Sequence, residues 1–114
     1  MKLLTKQIRK EIPAITSTDG GGNERKVYVK FFNPAGGQSW FALEGGPVKD
    51  SSGVEFDFEF FGLVDGQYTE LGYFMLSELQ AFKGAFGIGI ERDIYHTGTL
   101  GDAYKGAQGI SMSN

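Results

Sequence analysis

From Val54 to Phe60 the chain alternates without interruption. Val54, Phe56, Phe58 and Phe60 fall on one side of an extended strand, and Glu55, Asp57 and Glu59 on the other. Asp65-Gly66 then offers the dipeptide favoured in a two-residue type I′ turn, where both central residues take positive φ. Folding back at that turn sets Phe60 opposite Leu71 and Phe58 opposite Tyr73. The pattern predicts a hairpin over 54–75 with one apolar face and one row of carboxylates.

Upstream, Leu4, Ile8 and Ile12 recur at helical spacing behind Thr5, a good N-cap, and Pro13 closes the segment. So short a helix has to dock on a sheet to persist. Ser17 to Asn23 reads as a loop, and Lys26 to Phe32 as a strand with Val27, Val29 and Phe31 on one side. Asn33 to Gly37 is a turn, Ser39 to Leu43 a third strand, and Glu44 to Gly53 turn-like again. Ser77-Glu78-Leu79-Gln80 matches a capping box that opens a second helix, with Gly84 ending it. Ile94-Tyr95 is a candidate edge strand. Beyond the apolar face of the hairpin, Phe61, Leu63 and Tyr68 emerge on the acidic side, where a helix (5–12 or 78–83) would cover them.

These elements predict an α+β fold: an antiparallel sheet of four to five strands with two short helices packed on it. A single domain is expected over 1–96, followed by a glycine-rich, partly disordered tail over 97–114. Eighteen glycines in 114 residues are about twice the usual ~7% share, which favours short strands and tight turns over long helices.

The absence of cysteine removes disulfides, thiolate metal sites and thiol nucleophiles. No apolar run approaches the ~20 residues of a membrane span, and the basic, amphipathic N-terminus is unlike a signal peptide. A cytoplasmic protein that does not engage membranes is expected. A net charge of −3 conceals an uneven distribution. Residues 1–30 carry seven basic against three acidic side chains, whereas residues 44–78 carry eight acids and only Lys49.

Candidate chemistry is sparse. GAFGIGIER places Gly87 and Gly89 in part of a dinucleotide fingerprint, but Arg92 replaces the third glycine and a helix precedes the loop. His96 is the only histidine, so with Glu91 and Asp93 it makes a weak metal set. No G-x-S-x-G elbow accompanies it. No cofactor, metal or catalytic residue is therefore assigned, and Glu91, Arg92, Asp93 and His96 remain the one cluster where an enzyme would have to work. A nucleic-acid module would use Lys6, Arg9, Lys10, Lys26 and Lys30 against phosphates, with strand aromatics available for stacking. The acidic row offers another reading. Same-face carboxylates on a strand lie ~6.5–7 Å apart, close to the spacing of phosphates, and can occupy a basic groove on another protein. Glu55, Asp57 and Glu59, with Glu70 from the return strand and Tyr68 as an aromatic anchor, form that candidate partner-binding set.

The successive segments MKLLTKQIRKEIPAI, VYVKFFNP, SWFALEG, FFGLVDGQYTELGYFMLSEL and IERDIYH resemble the domain of unknown function 2958 family, in order from residue 1 to about residue 96. The glycine-rich insert 19–23 and the tail beyond His96 depart from it. The resemblance implies a small bacterial protein of conjugative plasmids, integrative elements and phages, with no catalytic residues to carry over. Counter-defence proteins, anti-restriction and anti-CRISPR inhibitors among them, keep company with such genes. The functional expectation is a non-enzymatic accessory protein that binds a bacterial protein, a defence nuclease being the example in mind. The alternative is the nucleic-acid-binding module.

Overall fold

The computed structural model describes residues 1–108. Ten elements follow one another: α1 (Lys6–Glu11), a 3-10 turn (Gly22–Glu24), β1 (Val29–Phe32), β2 (Ser39–Lys49), β3 (Glu55–Asp65), β4 (Thr69–Met75), α2 (Leu76–Ala81), a second 3-10 turn (Ala85–Gly87), β5 (Glu91–Arg92) and α3 (Leu100–Gln108). The strands make one antiparallel sheet in the order β4-β3-β2-β1-β5. This is the α+β architecture that the alternating strands predict.

Each face of the sheet owns a core. On the first face, Val29, Phe31, Ala42, Phe58, Phe60 and Phe74 meet Leu3, Leu4 and Ile12 from the N-terminal segment and Leu79 from α2. Phe60 is fully buried, with the Phe31 ring edge-on at 5.3 Å and Phe74 stacked at the same distance. On the second face, Val27, Phe41, Leu43 and Leu63 pack against Leu100 and Ala103 of α3, with Phe61 and Tyr104 at the margin.

The expected α1 forms as read: Thr5 Oγ1 accepts the Ile8 amide at 3.1 Å, and the helix ends at Glu11 before Pro13. Asn33 also behaves as a turn residue, its side chain accepting the Ala35 amide and donating to Gln38.

Several expectations are corrected. Glu44 to Lys49 is not a turn; β2 continues through it for pairing with β3, and the Gly45 amide donates to Pro13 O on the outer side. The hairpin turn spans Gly66 to Tyr68 instead of two residues, so Phe60 pairs with Phe74 and Phe61 with Tyr73. That register wins because it buries Phe74 beside Phe60, whereas the two-residue turn would have set the half-exposed Leu71 there. α2 starts earlier than the Ser77 capping box implies. Glu78, not Gln80, reaches back, accepting the Met75 amide at 2.7 Å. The fifth strand is Glu91–Arg92, paired with β1, while Ile94 and Tyr95 lie exposed beyond it.

The largest correction concerns the C-terminal part. Residues 97–108 are not a tail: Lys26 bridges Thr99, the Leu100 amide donates to Arg25 O, and Leu100 is 1% exposed. α3, and neither α1 nor α2, covers Phe61 and Leu63. Apolar positions Leu100, Ala103 and Tyr104 share one helical stripe that glycine and alanine neighbours obscure in the sequence. The rest of the expected tail, 109–114, lies outside the described residues.

Candidate interaction surfaces

The predicted acidic row is dispersed by two local events. A bulge at Phe56 breaks the register between Asp57 and Glu55, turning Glu55 toward α1. There Arg9 forks it, Nη1 to Oε2 at 2.8 Å and Nη2 to Oε1 at 2.6 Å, while the same guanidinium lies 5.1 Å from the Phe58 ring centre. The Arg9 hydrogen bond holds the Glu55 carboxyl below its ordinary range. Asp57 is occupied as well: Oδ1 accepts the Phe58 and Ser77 amides, and Oδ2 accepts the Ser77 hydroxyl. Burial pushes its carboxyl up, but the Ser77 and Phe58 donors outweigh that and leave it lowered. Asp57 is a cap for α2, supplied from β3.

Glu59 and Glu70 have no ion pair or side-chain hydrogen bond among the described residues. They do not share a face. Glu59 pairs with Met75 beside the Phe61–Tyr73 couple of the second face, whereas Glu70 pairs with Val64 and so sits with Phe60 and Phe74 on the first. The four acids therefore form no continuous row. Glu59 on β3 and Glu70 on β4 lie on opposite faces of that strand pair. Tyr68, the expected anchor, stands 73% exposed in the turn that feeds β4.

The basic set is split too. Lys6, Arg9 and Lys10 ride on α1 over the first face, and Arg9 is committed to Glu55. Lys30 projects from the second face, 3.9 Å from Asp93 and 5.4 Å from the Phe41 ring centre. Lys26 lies over Tyr28. A hollow of about 430 Å³ between the N-terminal segment and α2 takes in Lys6 and Arg9 but not Lys10, Lys26 or Lys30. The five cations do not converge on one groove.

Glu91, Arg92, Asp93 and His96 are not brought together as a set. Arg92 pairs with Phe31 on the first face and Glu91 with Phe32 on the second, Glu91 being exposed. Asp93 and His96 do line up with Lys30 on the second face, where His96 packs edge-on against Phe41 at 5.6 Å. The adjoining cleft, about 330 Å³, also reaches Ser39, Asp65 and Asp102. Ser39 and His96 share no hydrogen bond, and Asp102 reaches back to accept the amide of Thr99, the residue that caps α3, so no activated nucleophile is assembled among the described residues. His96 Nε2 is buried with no partner among the described residues, and burial, reinforced by Lys30 and opposed by Asp93 and Asp102, pulls its pKa down. Among these residues no group of His, Cys, Asp and Glu is placed to hold a metal ion. Among the described residues no helix is long and apolar enough to cross a membrane.

The features that sequence reading missed lie around β4. This strand is an edge: no backbone hydrogen bond joins Glu70–Phe74 to anything beyond β3 among the described residues. Beside it runs a groove of about 270 Å³, walled by Trp40, Val64, Tyr73, Phe74, Leu79 and Phe82, with Glu78 at its lip. Trp40 and Phe82 meet edge-on at 6.1 Å. By register the Gly62–Gly72 pair lies between the Val64–Glu70 and Phe60–Phe74 pairs on the first face, next to the groove but outside its lining. Two glycines facing each other across neighbouring strands were visible in the sequence once the register is known, and the shifted turn is what hid them.

Residues 3–102 match the family described as protein of unknown function (DUF2958). The chain belongs to the DUF2958 family. No curated protein and no solved structure shows significant similarity to it. Membership confirms the resemblance in its motifs and extends it through the first turn of α3, the element that closes the second face.

Proposed function

We propose that this DUF2958 protein is a non-enzymatic binding protein that docks on a positively charged region of another protein. The observation that carries the proposal is the composition of one stretch of the chain, whose acids lie on both faces of the β3–β4 pair. Residues 50–82, which build β3, β4 and α2, hold seven acids and no lysine, arginine or histidine. Two of those acids, Glu59 and Glu70, have no intramolecular partner among the described residues. Such a field steers a basic partner and disfavours an acidic one, nucleic acid included. The mobile-element setting that the resemblance implies makes a bacterial defence protein with a basic groove the partner class of choice, and its inhibition, anti-CRISPR or anti-restriction, the outcome. Glu59 and Glu70 replace the four-acid row as the charges that matter, with Tyr68 and Tyr73 as exposed aromatics at the same edge.

The test is stoichiometric capture of bacterial proteins by the wild-type chain and by the Glu59→Lys/Glu70→Lys double variant. Both positions lack internal partners, so the melting temperature should stay nearly unchanged while capture of a basic protein is lost. Undiminished capture by the double variant would reject the reading. A gel shift with duplex DNA at two salt concentrations should show no salt-dependent binding; a steep dependence would transfer the function to the basic residues.

A further inference from the structure

We infer that β4 is a strand-addition site: it accepts an extended segment of a partner protein whose bulky apolar side chain enters the Trp40–Phe82 groove, with lysine or arginine two positions away. The inference rests on the binding-protein reading above and names the part of the partner that is read.

Edge strands in monomeric proteins are usually blunted by lysine, proline, a bulge or shortness. β4 has no lysine, proline or bulge and is not short, and Glu70 is its one charge: TELGYFM runs for seven residues in unbroken register with β3. Its outward N–H and C=O groups are a template for another strand. Leu71 and Tyr73, at 38% and 58% exposure, add apolar contact along the second face.

The two glycines at the centre have different reasons to be glycine. A Cβ on Gly62 would lie 1.8 Å from Phe41 O, so the packing of β3 on β2 demands it. A Cβ on Gly72 would meet nothing within 4 Å, and its φ is not in the positive range. The fold does not require a glycine there, and a glycine in mid-strand forfeits packing and strand propensity. What Gly72 does is leave open space at the edge, beside the groove. On a strand paired to β4, the residue opposite Gly72 points to the first face, the side of Phe74 and Val64. With no side chain at 72 to block it, that residue reaches across into the space between Trp40, Val64 and Phe82.

Charge settles the occupant. The neighbour two positions along the added strand faces Glu70, and the groove lip carries Glu78. A basic-x-apolar alternation complements both acids. A second copy of this chain would instead bring two acid-rich sides, each free of positive charge over residues 50–82, against one another.

The probe is the synthetic peptide acetyl-TKTFTKT-amide, titrated into the full chain while following Trp40 fluorescence and backbone amide NMR shifts. Expected are a change in Trp40 emission and shifts concentrated in residues 69–75, with TETFTET and TKTSTKT peptides binding at least about tenfold more weakly. Gly72→Val should abolish the interaction without lowering the melting temperature. Glu70→Lys should weaken it severalfold. Equal binding by Gly72→Val, shifts centred elsewhere, or a concentration-dependent dimer that protects β4 in place of the peptide would each overturn the inference. If the peptide fails while a basic protein is still captured and still released by the Glu59→Lys/Glu70→Lys change, strand addition is wrong and the charge-based reading stands.

Discussion

The two edges of this sheet are built on opposite principles. At the β5 edge the strand is two residues long, both charged, and the chain beyond it turns back so that Lys26 bridges Thr99 and α3 covers the second face. At the β4 edge the strand is seven residues long, carries exposed Leu71 and Tyr73, and ends open. A chain able to close one edge with shortness, charge and a helix leaves the other long and uncovered, with Glu70 as its one charge. Open pairing groups carry an aggregation hazard, so an edge kept this way points to use. The high acid content around β4 keeps it soluble and also selects what approaches.

Breaking the closed edge has the largest expected effect. Leu100→Ala removes the side chain that seats α3 and should cost about 2–5 kcal/mol, read as a shift in the urea midpoint at unchanged slope. A loss below about 1 kcal/mol would mean that α3 is dispensable.

Between the two edges the fold relies on one buried acid. Glu44, 1% exposed, accepts the Thr16 and Thr18 amides at 2.7 and 2.8 Å and the Thr18 hydroxyl. Burial pushes its carboxyl up, but those donors and the more distant Arg25 hold it below its ordinary 4.5. Glu44→Ala should therefore cost about 2 kcal/mol by stranding the loop amides. The pH dependence carries a definite sign. Glu44 stabilises above pH 4.5, and that contribution is lost as pH falls through its lowered folded value. His96, also lowered, acts in the same direction but higher. The unfolded chain takes up its proton near the ordinary 6.5 before the folded one does, so stability falls as pH drops from that point. Thermal melts at pH 7.5 and 5.5 should differ for wild type and differ less for His96→Gln.

Sharpening the open edge calls for the smallest change. Gly72→Val should leave stability unchanged or raise it by up to about 1 kcal/mol, because valine suits a pleated strand and its Cβ has room. A clear destabilisation would show that Gly72 serves the fold after all.

Much of the architecture was legible in the residues. Strict alternation gave β3, Thr5 and Pro13 bracketed α1, and Asn33 marked the first turn. The failures share a cause: local signals were read where long-range pairing decides. Asp65-Gly66 has the chemistry of a two-residue turn, yet burial of Phe74 beside Phe60 moves the turn to Gly66–Tyr68. That shift of register reassigns Glu70 to the opposite face and exposes the glycine pair. The acidic row assumed an unbroken pleat, and the bulge at Phe56 broke it. α3 hid because Gly101 and Gly106 look like tail residues until Leu100 finds Leu63. Nothing in a single sequence could indicate that Arg9 would fork Glu55, 46 positions away.

The most direct test of the open-edge account is amide hydrogen exchange across Thr69–Met75, compared with β1 and with and without the TKTFTKT peptide. The account predicts that the amides of β4 facing away from β3 exchange freely in the isolated chain and become protected on peptide addition, with β1 unaffected. Outward amides already protected in the monomer, or left unprotected by saturating peptide, would contradict it.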